Sequence, residues 1–268
     1  MPEQDLDPNL IFVKLGGSLI TDKDQTETAK PDLILELLST IQQQLIQQPE
    51  LKLVLGHGSG SFGHHAAKKH NTRSGVFNKE DWLGYQAVWQ SARKLNQIVI
   101  GQSEIIGLPV LGFPPSAIVV TSNHAITQWN ITPIRSALDH GLIPLVYGDV
   151  VNDDEIGGTI LSTEDLFYYL ALQLHPSRIL LAGVEAGVFA DYPHNVSVIN
   201  HIPADTILKT RLEGSASVDV TGGMNSKVSL MQSICRAVPG IQIRIFSGTD
   251  PDNLGKAIQG LPVGTLIR

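Results

Sequence analysis

The 268-residue sequence has a single cysteine, Cys235, so it cannot form an intramolecular disulfide framework. Cys235 stands beside Val228, Met231 and Ile234 in an apolar-periodic stretch, which predicts a buried structural thiol. The sequence also lacks an apolar run long enough to span a bilayer, and its opening, MPEQDLDPNL, is acidic and polar, unlike a signal peptide. A cytoplasmic protein without a membrane partner is the expectation. There is no basic excess: 19 Lys+Arg stand against 26 Asp+Glu, a formal charge of −7, which disfavours a nucleic-acid partner. Any anion site therefore has to be built locally, against a mildly repulsive global field. Internal repeats and linkers rich in Pro, Gly or Ser are missing as well. What is present is a globular composition, 42% hydrophobic and 17% charged, with enough length for a sizeable core.

Short apolar runs alternate with helix-like stretches. Strands are expected at 11–15, 51–55, 110–112, 117–120, 143–146, 179–181, 198–199 and 241–246. Helices are expected at 31–47, 81–106, 223–237 and 251–259. In the first of these, Pro31 suits an opening turn, and Leu33, Leu37, Ile41 and Leu45 recur at helical spacing. A further helix begins at Ser162, where Ser162 and Asp165 form a capping-box signature. The alternation predicts an α/β protein with a mainly parallel sheet covered on both faces, and a soft division near Asp149.

Three glycine clusters follow strands or open helices: Lys14-Leu15-Gly16-Gly17-Ser18, the run from Gly56 to His64, and Thr221-Gly222-Gly223-Met224-Asn225-Ser226-Lys227. Glycines at such places let the backbone approach an anion and present N–H groups to it. A single cluster reads equally well as a set of tight turns. Three together favour a phosphate-rich ligand at the C-terminal ends of the strands. Gly58-Ser59-Gly60-Ser61-Phe62-Gly63 matches the letter of the dinucleotide fingerprint G-x-G-x-x-G. The residues after it contain no strand-like run, and Glu80-Asp81 introduces a helix, so NAD binding is not expected. A Walker A loop is absent too.

Lys14 ends a strand expected to be buried, an expensive place for a lysine unless it meets an anion or carboxylate. Lys23 follows in the same loop and Lys227 closes the third cluster; each alone reads as a solvated surface lysine. Phosphoryl transfer asks mainly for positive charge around the transferred group and in-line placement of the acceptor, which lysines on glycine loops supply. His64, closing the second cluster, is suited to an acceptor phosphate. His57, His65 and His70 read as surface or loop residues. Their spacing matches no zinc pattern, so no protein-held metal is expected. Asp149, Glu164 and Asp165 fall at strand or helix ends on the same side of the sheet, where carboxylates orient lysines or meet magnesium through water. The long helix with Trp82, Tyr85 and Trp89 offers a pocket wall, although aromatics at such spacing are more often plain core.

Together these residues resemble the amino acid kinase superfamily and, within it, the isopentenyl phosphate kinases. The similarity runs in order along nearly the whole chain: KLGGSLITDK (14–23), HGSGSFGH (57–64), PLVYGDVV (144–151), ILSTEDL (160–166), DVTGGMNSKV (219–228) and GTLI (264–267). The Ser-Phe-Gly-His ending is the specific part, shared more loosely with fosfomycin kinases. The resemblance implies a single three-layer α/β/α sandwich, with the acceptor over about residues 1–150 and the nucleotide over about 151–268. It implies ATP and Mg²⁺ as cofactors, isopentenyl phosphate as the acceptor, its diphosphate as the product, and a homodimer. Lys14 would hold ATP phosphates and stabilise the transferred group, and Lys23 would be a second cation. Gly58, Gly63, His64 and Thr163 would meet the acceptor. Gly16, Gly17, Ser18, Ser59, Gly183, Gly223 and Lys227 would lie at the ATP site. The family pattern departs at two places. Its Ser-Gly-Asp-Asp is Ser162-Thr163-Glu164-Asp165 here, which puts the organising carboxylate on Glu164. Its Thr-Asp pair of the nucleotide half is replaced by Ala182-Gly183. A kinase of another phosphate or phosphonate acceptor, and a nucleotide- or metabolite-binding protein with little catalysis, are the alternatives.

Overall fold

The structure is a computed structural model and describes residues 5–191, 194–206 and 223–268, without the side chains of residues 64–66. Its N-terminal part runs β1 (Asp7–Leu15), α1 (Gly17–Ile20), α2 (Pro31–Gln47), β2 (Lys52–His57), α3 (Gly60–His70), α4 (Lys79–Ile105), β3 (Val110–Gly112), α5 (Pro115–Ile118), β4 (Val119–Ser122), β5 (Ala125–Trp129), α6 (Thr132–Asp139) and β6 (Ile143–Tyr147). It continues with β7 (Asp149–Asp153), β8 (Gly157–Leu161), α7 (Thr163–Leu174), β9 (Pro176–Gly183), β10 (His201–Ile202), α8 (Gly223–Ala237), β11 (Gln242–Ser247), α9 (Pro251–Ile258) and β12 (Thr265–Ile267).

Among the described residues eight strands form one sheet in the order β10-β12-β11-β9-β1-β2-β6-β3, and only β11 and β12 pair antiparallel. β1 lies at its centre, buried on both faces from Leu10 onward. Because side chains alternate along a strand, Leu10 and Phe12 point into one core and Ile11, Val13 and Leu15 into the other. α6, α7 and α8 cover the first face through Ile134, Leu138, Phe167, Leu170, Val228 and Met231. α2, α4 and α9 cover the second through Ile34, Leu37, Ile41, Leu95, Val99 and Leu254. This is the sheet covered on both faces expected from the alternation, in the α/β/α sandwich that the resemblance implies. Each fully buried aliphatic side chain contributes roughly 1.5–3 kcal/mol relative to exposure. The buried stripe of α2, Ile34-Leu37-Leu38-Ile41, is thus what seats that helix. Cys235 is buried as expected, its Sγ 3.6 Å from the Ile267 carbonyl oxygen, and burial pushes its thiol up to about 11.

Two sequence expectations are corrected. The run 117–120 is not one strand: Pro115 opens the short helix α5, and β4 starts only at Val119. A proline at N1 costs a helix nothing and pre-sets its φ, which overrides the apolar run that follows. At 198–199 only an isolated bridge from Val198 to Phe189 forms, and the strand lies later, at β10.

A second, four-stranded sheet, β5-β4-β7-β8, stands beside the first. Asp153 knits it together. Its carboxylate accepts hydrogen bonds from the Thr121 hydroxyl (2.7 Å) and from the backbone amides of Asn123, His124, Glu155 and Ile156 (2.9–3.1 Å). The β4–β5 turn places both Asn123 (φ 46°) and His124 (φ 69°) in the left-handed region, the geometry of a two-residue hairpin loop. Burial would raise the Asp153 carboxyl, but the converging donors outweigh it and hold the group well below the ordinary carboxylate range. A carboxylate depressed in the folded state contributes stability that is present above its unfolded value of about 4 and lost as pH falls below it. Asp153→Ala should therefore cost about 2–4 kcal/mol at pH 7 in urea unfolding. The gap to wild type should narrow steadily as the pH drops below about 4; a pH-independent difference would rule out the charge as its source.

Candidate active site

The parallel strands end together. Leu15 of β1 is in register with His57 of β2 and with Ala182 of β9; His57 is in register with Tyr147 of β6, and Gly183 with Ser247 of β11. The first two glycine clusters therefore leave the sheet side by side, and they touch through backbone. A Cβ placed on Gly17 would lie 2.3 Å from the Gly60 amide nitrogen, and one on Gly58 would lie 2.7 Å from the Gly17 nitrogen. Gly16 donates its N–H to the Ala182 carbonyl oxygen (2.7 Å), and a Cβ there would strike the same oxygen. No other residue fits at these places. Gly60 has φ +49° in addition.

This packing brings three helix starts to one crevice: α1 after Gly16, α3 after Ser59 and α7 after Ser162. First-turn amides have no carbonyl one turn back to bond, so they are donors for an anion. Some are already used. Ser61 N–H donates to the Thr21 hydroxyl oxygen (3.0 Å), and Asp165 N–H donates to the Ser162 hydroxyl oxygen (3.1 Å). The Asp165 carboxylate in turn accepts from Ser162 N–H, which completes the capping box read from the sequence.

Lys14 and Glu164 meet here. Lys14 is 8% exposed and Glu164 7%, and their side chains form a salt bridge between the end of β1 and the first turn of α7. Burial would raise the Glu164 carboxyl; the positive charges of Lys14 and then Lys227 outweigh it and hold the group below the ordinary glutamate range. Lys227, on α8 four residues after Gly223, is thus joined electrostatically to the same centre. Gly223 begins α8 with φ +71°, while Thr221 and Gly222 lie outside the described residues.

The other candidates are placed as follows. Ser18 is half-buried in α1, and Ser59 precedes α3 with its hydroxyl against Gly63, where a Cβ would come within 2.4 Å. Gly63 is therefore needed for packing inside its own helix turn. Lys23 is exposed on the loop between α1 and α2. The His64 side chain lies outside the described residues; its backbone is in α3. Thr163 is buried, and its hydroxyl donates to the His57 carbonyl oxygen (2.6 Å), so its side chain ties α7 to β2. Gly183 closes β9, and a Cβ there would meet only the Glu185 nitrogen at 4.0 Å. Ala182, by contrast, packs with Leu19 under Gly248.

His57 was expected at the surface and is instead fully buried. Its ring stacks on Tyr147 (centroids 5.3 Å apart) and lies between the Gly58 carbonyl oxygen and the Asn96 side chain. Burial, aided by Lys14, keeps the ring neutral. Asp149 was expected to orient a lysine or a metal. It is buried, accepts from the Val150 (2.9 Å) and Ser116 (3.2 Å) amides, and burial raises its carboxyl to about 6. Tyr85 and Trp89 pack against Val150 and Ile160, with Trp82 tilted against Tyr85 and partly exposed. Sequence reading missed Glu27, Ser61 and Ser91, whose polar contacts carry no motif.

The Lys14–Glu164 pair is a stability device as well as a charged centre. Lys14→Met leaves a buried carboxylate short of its nearest cation and should cost about 3–5 kcal/mol. Adding Glu164→Gln should return most of that loss in urea unfolding. Equal stability of Lys14→Met and wild type would contradict a buried ion pair.

The comparisons with known proteins agree with this geometry. Residues 9–247 match the model of the amino acid kinase family. An isopentenyl phosphate kinase of Methanocaldococcus jannaschii is 32% identical, the match covering 96% of this chain and 98% of the relative. One of Methanothermobacter thermautotrophicus is 31% identical with the same coverage. A crystal structure of an isopentenyl phosphate kinase superposes with a TM-score of 0.83 at 28% identity, covering 97% of this chain and all of the other. Matched by the family model over residues 9–247 and by relatives 31–32% identical over 96% of its length, the chain belongs to the amino acid kinase family and stands with the isopentenyl phosphate kinases in it.

Proposed function

We propose that the protein is an ATP-dependent kinase that converts isopentenyl phosphate to isopentenyl diphosphate. The observation that carries this reading is a buried lysine at the end of the central strand, flanked by two glycine turns packed backbone to backbone, in a chain with full-length relatives of that activity. The donor set fits a polyphosphate: first-turn amides, Lys14 and Lys227 are all hard cationic or N–H groups. Among the described residues no group of three or more His, Cys, Asp or Glu side chains is arranged to hold a metal. Mg²⁺ accompanying the nucleotide would be held chiefly by phosphate oxygens and water, as is usual for this reluctantly dehydrated ion.

When bound, ATP supplies the γ-phosphoryl group. The protein's part is positioning and charge. Lys14 neutralises the transferred group, and Glu164 fixes where its ammonium sits. Gly16, Gly17, Ser18 and Ser59 line the nucleotide phosphates, with Gly183, Gly223 and Lys227 on the nucleotide side. Gly58, Gly63 and His64 hold the acceptor phosphate. Thr163 contributes through its backbone amide, because its hydroxyl is committed to His57. Lys23 is the second cation, reaching in from its loop. On the same reading residues 1–268 are one domain, with the acceptor over about 1–150 and the nucleotide over about 151–268, acting as a cytoplasmic homodimer.

Incubation with Mg-ATP and isopentenyl phosphate should yield the diphosphate and ADP in equal amounts. His64→Ala and Lys23→Ala should each lower kcat/KM by about 10²-fold, the scale of losing one donor to developing charge. Absence of the diphosphate at micromolar enzyme, with ATP still bound, would overturn the acceptor assignment.

A further inference from the structure

Lys23 is carried by a loop of irregular backbone, residues 22–30, and an exposed lysine on such a loop has no fixed position of its own. The base of the loop is closed by its own backbone. Asp22 N–H donates to the Thr28 carbonyl oxygen (2.8 Å), Lys30 N–H to that of Ile20 (2.9 Å), and Thr21 bridges Ala29. Ser61, in the first turn of α3, holds the base from beside: its N–H reaches the Thr21 hydroxyl and its own hydroxyl oxygen accepts from Thr28 N–H (3.3 Å). The far side is held by Glu27. Its carboxylate accepts from the buried Ser91 hydroxyl of α4 and from Lys94 Nζ (2.7 Å). The Phe62 carbonyl oxygen of α3 is a second acceptor beside the same hydroxyl, sharing its single proton with Glu27. Loop, α3 and α4 thus converge on one hydroxyl.

Glu27 has φ +50°, a conformation that costs a glutamate roughly 1–2 kcal/mol and persists only when its surroundings fix it. A surface ion pair such as Glu27–Lys94 is worth little for stability. The value of holding Glu27 in this strained place lies in what it positions. We propose that Glu27, with Ser91 and Lys94, is a latch that fixes the Lys23 loop against α4 and against α3, which carries the acceptor-phosphate turn, making Glu27 a positioning residue for the reaction. The kinetic arm of this inference rests on the kinase reading above.

Displacements of about 1 Å near the chemistry cost up to about 10²-fold, and a loosened loop still samples the right place. Glu27→Ala should therefore lower kcat by about tenfold with the acceptor KM within about twofold. Glu27→Gln, which keeps an acceptor for Ser91, should retain most of the rate. In a Lys23→Ala background Glu27→Ala should cost less than about twofold, because the cation it positions is gone. The same factor in both backgrounds, or no loss at all, overturns the latch. Ser91→Ala should reproduce the effect and serves if Glu27→Ala fails to fold. If wild type phosphorylates no acceptor, the kinase reading fails and trypsin decides the latch alone. Lys23–Asp24 is the cleavable bond of the loop, since Lys30 precedes Pro31. Glu27→Ala should be cut there faster than wild type by intact-mass analysis, and equal rates overturn the proposal.

Discussion

Everything at the crevice depends on a contact in which side chains have no part: the backbone of Gly17 against the backbones of Gly58 and Gly60. Two parallel strands normally leave their ends about 5 Å apart, with room between the turns for side chains. Here the turns close on one another, so the starts of α1 and α3 stand together and their first-turn amides share one space. Interior packing tolerates little extra volume, so a single methyl group at any of these three positions would pry the turns apart. It would also pull Thr21 off Ser61 and with it the base of the Lys23 loop.

Onto that backbone cradle the chain adds charge sparingly. The molecule is acidic as a whole, with a net charge of −7, and its long-range field does not draw in a phosphate. Attraction has to arise at short range, from Lys14, Lys227 and the helix starts. Burying Lys14 without a partner would be prohibitive, and Glu164 supplies the partner. The pair is close enough to keep Glu164 ionised despite its burial, and two lysines act on the one carboxylate. The centre thus keeps a positive excess, which is what a polyphosphate ligand requires. A glutamate at this position spans from α7 to β1 with one methylene more than an aspartate has, and the salt bridge forms nonetheless.

The centre of the main sheet was legible in the sequence because β1, β2, β6 and β9 are buried and read as unbroken apolar runs, whereas the short β10 and β12 at its edge were not; Pro31 and the Ser162–Asp165 pair mark helix starts by local chemistry that tertiary structure does not override. The second sheet was not legible. Its strands are short, and β5 exposes most of its residues. Its hairpin turn uses Asn123-His124 where the expected signal would be Asn-Gly. The close glycine turns and the buried Lys14 could be read from the sequence because glycine and lysine at strand ends are costly without a reason. His57 was misread because nothing local shows that a histidine at the end of β2 is stacked on Tyr147, whose strand begins 86 residues later. Glu27 and Ser91 are 64 residues apart and meet only once α3 and α4 are folded.

The two ends of the crevice are built by different means. Beside β2, hydroxyls and one carboxylate from four segments interlock: Thr21, Ser61, Ser91 and Glu27 hold the loop, and Thr163 holds α7 to β2. Beside the end of β9, Ala182 is absorbed into the apolar core under Gly248, and a Cβ on Gly183 would meet open space. Directional bonds fix position, whereas open space and backbone allow it to vary. The β2 side is therefore the more closely bonded, and the placement of Lys23 relative to Lys14 is inherited along a continuous path: β1 to Gly17, Gly17 to Gly60, Ser61 to Thr21, and Glu27 to α4. A change anywhere on that path moves a charge.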